Sequence, residues 1–143
     1  MIAPARGTNG SAAIEMAVLM PMFVALFTAA ILLGRVSNAT SAVEMAAYDG
    51  ARTASLARDA ATAEFQAITT VGESLAEQGL ACVGGPTVTV DTSGFSQPVG
   101  TPASVTVSVT CLVTIGDIDL IGVPDQPVSA SFVSPLDQYR SRR

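Results

Sequence analysis

Side chains able to do chemistry are sparse in this 143-residue chain, which has no histidine and only two cysteines, Cys82 and Cys111. The absence of histidine removes the commonest general base, and two thiols cannot complete a structural zinc site. The acids Asp117, Asp119 and Asp125 fall within residues 116–126. Their spacing does not follow the EF-hand ligand pattern, so a solvated loop is the simpler reading. With no glycine-rich phosphate loop and no nucleophile motif, the sequence predicts no enzyme, no cofactor and no bound metal. The net charge is -5 and every basic residue is arginine, which argues against nucleic acid, whose phosphates require a basic face. The two cysteines read as one disulfide formed in a secreted compartment. Closing a loop of about 30 residues would stabilise the fold by roughly 3–4 kcal/mol. The alternative is a pair of buried free thiols.

One acid stands in an unusual place. Ser11 to Leu33 reads SAAIEMAVLMPMFVALFTAAILL and carries a single charge, Glu15. About 20 apolar residues in a helix cross the hydrocarbon of a bilayer, so this stretch is long enough to span. A carboxylate inside a span costs roughly 2.5–3.5 kcal/mol. Glu15 therefore either has a partner or sits at the membrane edge with its carboxylate in water. Pro21 lies inside the run. It removes one helical hydrogen bond and is read either as a designed kink or as one of the prolines that membrane helices tolerate.

Gly10, Ser11, Glu15 and the apolar run resemble the processing site of type IV prepilins. More narrowly, Glu15, Pro21 and Gly34-Arg35, followed by the block AAYDGARTAS from Ala46 to Ser55, resemble the TadE-like pseudopilins of tight-adherence (Tad) pilus systems. The segment Val128 to Arg140, VSASFVSPLDQYR, is similar to the C-terminal segment of actinobacterial-type members. The resemblance implies a leader over residues 1–10, cleavage between Gly10 and Ser11 by a prepilin peptidase, and a transmembrane helix over 11–34. It also implies that Glu15 meets a neighbour's N-terminal amine during assembly. Partners would be other pilins and pseudopilins, the assembly platform and membrane lipid. Met16 stands after Glu15 where major pilins carry tyrosine, and the chain is longer than theirs, so the resemblance points to a minor pseudopilin. The N-terminus would be cytoplasmic and the C-terminal domain extracytoplasmic, with incorporation in a surface pilus that serves adhesion as the further expectation. The competing reading is a single-pass anchored binding module that is part of no fibre.

The elements that must carry these residues follow from periodicity. Gly34 to Thr40 is a polar stretch where the span either ends or runs on. An Ala-rich helix is expected over 35–80, with Ser41 to Gln78 as its amphipathic part and Gly79 as its stop. Ala47, Ala54, Ala61, Ile68 and Leu75, with Val43, Gly50, Ala57 and Val71 between them, form a narrow seam at coiled-coil spacing. That seam suits either partner pseudopilins or the chain's own sheet. Asp49 and Arg52 are spaced to pair on the outer side. Residues 81–143 read as a small β domain. Thr87 to Asp91, Ser104 to Ile115 and Pro127 to Val133 alternate apolar and polar residues with period two. The expectation is an α+β fold: a long N-terminal helix packed on a three-stranded antiparallel sheet, with the second strand central.

Overall fold

The computed structural model describes residues 9–114 and 124–139, with side chains from Ile14 onward. Residues 1–8 of the expected leader, the loop acids Asp117 and Asp119, and Arg140 to Arg143 lie outside the described residues. Two compact units divide near Arg35. Helix α1, Asn9–Leu56, contributes to both.

The first unit, up to Arg35, is the N-terminal part of α1. It includes Pro21. From Ile14 to Leu33 nearly every side chain is exposed, and an 18-residue stretch of the helix has a mean hydropathy of 2.5. The sequence here is rich in Leu, Met, Ala and Phe, which suit a helix or its apolar surroundings. Thr28 satisfies its hydroxyl locally by donating to the Val24 carbonyl at 2.8 Å.

The second unit begins at Val36. α1 continues through Gly34 to Thr40 without a break, so the polar stretch interrupts hydropathy and not the helix. α1 ends at Leu56, and α2 runs Ala60–Glu77. The single helix expected over 41–78 is therefore two. The break comes at Asp59, which adopts extended backbone and caps α2: its carboxylate accepts from the Thr62 N–H and the Thr62 hydroxyl, both at 2.8 Å. Exposing these first-turn donors to a side-chain acceptor starts a new helix. α2 stops as expected at Gly79, whose φ of 67° lets Leu80 N–H reach the Leu75 carbonyl and Gly79 N–H reach that of Ala76, both at 3.0 Å. This is the Schellman arrangement.

The expected seam is correspondingly divided. Ala47, Gly50, Ala54, Val43, Val71 and Leu75 are buried, but Ala61 and Ile68 are exposed. The face that α2 buries is Ala63, Ala67, Val71, Ser74 and Leu75, at a helical spacing of three to four rather than seven. Asp49 does not pair with Arg52. It turns to α2 and accepts from the Ser74 hydroxyl at 3.0 Å, while Gln78 Nε2 donates to the Ala42 carbonyl at 3.3 Å.

The sheet has the expected order. β1 (Thr87–Asp91), β2 (Ser104–Val113) and β3 (Gln126–Pro135) pair antiparallel with β2 in the centre. Val105, Val107, Val109 and Cys111 are fully buried on the face turned to the helices, with Val128 beside them. Ser108 and Ser131 share the outer face, their hydroxyls 2.9 Å apart. Between β1 and β2 a short 3-10 helix, Ser93–Ser96, tucks Gly94 inward. A side chain there would collide with the Ser104 carbonyl. The Cys82–Cys111 disulfide is formed, with Cα atoms 5.2 Å apart. It ties the segment after α2 to the central strand.

Candidate functional site

The side chains singled out by the sequence fall into two places. Gly10 and Ser11 lie in the main chain of the first turns of α1, and Glu15 follows one turn after Ser11 on an exposed helix. Around Glu15 the neighbours along the chain are Ile14, Met16 and Val18, each more than two-thirds exposed. This arrangement offers one carboxylate on an otherwise apolar cylinder. It can bind lipid or other apolar helices, and it can form one ionic contact with a partner that enters the same surroundings.

The second place is the packed unit. Cys82 and Cys111 are spent in the disulfide. Among the described residues no three His, Cys, Asp or Glu side chains come together to hold a metal. Two shallow grooves are present. One, between the end of α1 and the start of α2, is lined by Leu56, Asp59, Phe65 and Thr69. The other runs between α1 and β3, with Met45, Tyr48, Ala130 and Phe132 along it. Tyr48 and Phe132 meet edge to face at 4.8 Å between ring centres. Asp59 and Asp91 are the groups with shifted acidity. Hydrogen bonds from Thr62 hold the Asp59 carboxyl below its usual range, and those from Ser93 do the same for Asp91. Asp59 caps α2 and Asp91 accepts from the Ser93 N–H two residues on, so each shift has a local hydrogen-bonding cause.

The feature that separates this chain from an ordinary small α+β domain is therefore its apolar N-terminal helix with a single early acid. Residues 10–52 are similar to the TadE-like protein family. The match to the TadE-like protein family takes in Gly10, Glu15, Pro21, Gly34-Arg35 and Gly50-Ala51-Arg52, and stops just short of the end of α1. It implies a Tad pilus-associated protein, with the apolar helix as candidate membrane anchor. No curated protein and no solved structure matches the chain. α2 and the sheet lie outside the TadE-like segment. Sequence reasoning placed Gly50 in the packing seam, where the structure buries it, but overlooked Asp59 as a cap. That cap had a signal in the Asp-Ala-Ala-Thr order, which suits a helix N-terminus.

Proposed function

We propose that this protein is a minor pseudopilin of a Tad-type pilus that acts by packing and not by catalysis. In this reading a prepilin peptidase cuts between Gly10 and Ser11, and the apolar helix serves first as anchor and then as filament core. Glu15 meets the new amine of a neighbouring chain, and that pair removes the cost of an isolated carboxylate in apolar surroundings. The unit from Val36 onward stands outside the cell, where its disulfide persists, and the assembled structure contributes to adhesion. The observation that carries the reading is the exposed apolar run Ile14 to Leu33 with Glu15 at its start, inside the TadE-like segment. Intact mass of the protein purified from its own cell membranes tests it. The expected chain begins at Ser11. A chain that keeps residues 1–10 overturns the processing step and leaves a membrane-anchored domain outside any fibre.

A further inference from the structure

The sheet ends on one side in an edge that is unusual for its length and its lack of charge. β3 pairs with β2 along all ten of its residues, Gln126 to Pro135, and none of the ten is charged. Its main-chain direction follows from two hydrogen bonds. Leu136 N–H donates to the Ala103 carbonyl at 2.8 Å, one step beyond the β2–β3 register, and on the other side of β2 the Leu112 carbonyl accepts from Val83 N–H at 2.8 Å. Antiparallel ladders alternate, so the even-numbered residues of β3 bond to β2 and the odd-numbered ones turn outward. The outward set is Pro127, Ser129, Ser131, Val133 and Pro135. The prolines have no N–H to leave open, and three donor–acceptor pairs remain between them. Among the described residues nothing pairs with this edge.

Natural edges of this length are usually blunted by charge, and within these ten residues the blunting is proline near the two ends. The spacing is also symmetric: Pro127 and Pro135 stand equally far from Ser131. We propose that β3 pairs with β3 of a second copy of this chain, antiparallel and centred on Ser131. In that register Ser131 faces Ser131 and Ser129 faces Val133, so every outward N–H finds a carbonyl. Pro127 falls opposite Pro135, where no donor is lost. On the helix side Phe132 of each copy falls opposite the small Ala130 of the other, beside the groove of about 660 Å³ edged by Met45 and Tyr48. Met45, Tyr48 and Phe132 are 52%, 38% and 38% exposed, and this contact covers them. Within the ten residues no charge meets its like; the flanking Asp125 and Asp137 fall opposite one another just beyond the prolines at the two ends of the pair, and Glu44 lies at the groove's rim. The two-fold axis stands normal to the sheet, so the sheet-packed part of α1 in one copy runs opposite to that in the other. The pair therefore joins chains approaching from opposite directions, and does not depend on the pilus reading.

The test uses the full chain in detergent. Under mild oxidation Ser131→Cys is expected to give a covalent dimer, since facing residues in such a pair lie about 5.5 Å apart. Thr110→Cys, on the outer face of the central strand, is expected not to. Ser131→Pro removes an outward N–H in each copy and leaves the β2 ladder intact, so dimerisation measured by sedimentation should weaken roughly tenfold or more, with the Cys82–Cys111 bond and strand content retained. A chain that stays monomeric, a dimer indifferent to Ser131→Pro, equal cross-linking from Thr110→Cys, or Ser131→Cys captured only by a different protein would each overturn the proposal.

Discussion

The same helix lives in two environments, and the side chains it carries change at the boundary. Before Arg35 the apolar residues of α1 are bulky and outward: Met16, Val18, Met22 and Leu33 are all about 70% exposed. After Val36 the face turned inward is built mostly of small residues, with Met45, Tyr48 and Leu56 left outside it. Ala46, Ala51 and Ala54 are fully buried, and Gly50 sits where a β-carbon would lie 2.7 Å from Val71 Cγ2. Bulky side chains gain most from apolar surroundings supplied from outside, by lipid or by other helices. Small ones let a second backbone come close, and here that backbone is the chain's own α2. Residue size, more than hydrophobicity, distinguishes the part of α1 that awaits a partner from the part that already has one.

Glu15→Ala should break the comparison most sharply. Incorporation into the fibre is expected to be lost while membrane insertion and the fold from Val36 onward stay intact, as judged by piliation and by the retained disulfide. Piliation at the normal level would remove Glu15 from the mechanism. The reverse separation is expected from replacing Cys82 and Cys111 together with serine. The sequence separation is 29 residues, and the stability of the second unit should fall by roughly 3–4 kcal/mol, with the helicity of the first unit unchanged. Denaturant unfolding followed by near-ultraviolet circular dichroism reads the loss.

Gly34 and Gly50 sharpen the comparison within one helix. At Gly50 an added β-carbon presses on Val71 and approaches the Ala67 carbonyl and Val107 Cγ1 at 3.4 Å, whereas at Gly34 it meets nothing within 4 Å. Gly50→Ala should cost about 1–3 kcal/mol from overpacking, less about 1 kcal/mol gained in helix propensity. Adding Val71→Ala should recover part of it, and the coupling in that cycle measures the contact. Gly34→Ala should cost nothing in the isolated chain.

The smallest effect is acid sensitivity at the start of α2. The Asp59 carboxyl is lowered by its bonds from Thr62, so folding favours its charged form. That contribution is present above the usual carboxylate pKa and is lost as pH falls through the lowered folded value. Asp59→Asn keeps the cap and should remove this part of the acid dependence, seen by titrating α2 amide signals. An unchanged titration would assign the acid dependence elsewhere.

The strands were legible because alternation is a strong signal: Thr87 to Asp91 forms the expected strand, and β2 takes the centre with Val105, Val107 and Val109 inward. The helix break at Ala57 to Asp59 was hidden. Alanines recur on both sides of it, and a seven-residue count passes through without meeting proline or glycine. The exchange of the expected Asp49–Arg52 pair for Asp49–Ser74 follows from the same miss, because only a returning helix places Ser74 beside Asp49. Of the candidate site, the apolar helix and its acid could be read directly. The outward polarity of β3 could not, since it depends on which residues of β2 bond to which neighbour.

Alanine loses no rotamer freedom on burial, and it also offers no shape to interlock. The alanines buried in this core, Ala46, Ala51, Ala63 and Ala67, add little relief to it. What sets the relative advance of α1 and α2 is a handful of discrete catches: Val71 seated against Gly50, Asp49 on Ser74, Gln78 on the Ala42 carbonyl, and the disulfide just beyond α2. The hairpin behaves as a greased rail with stops, and its alignment is a property of those stops.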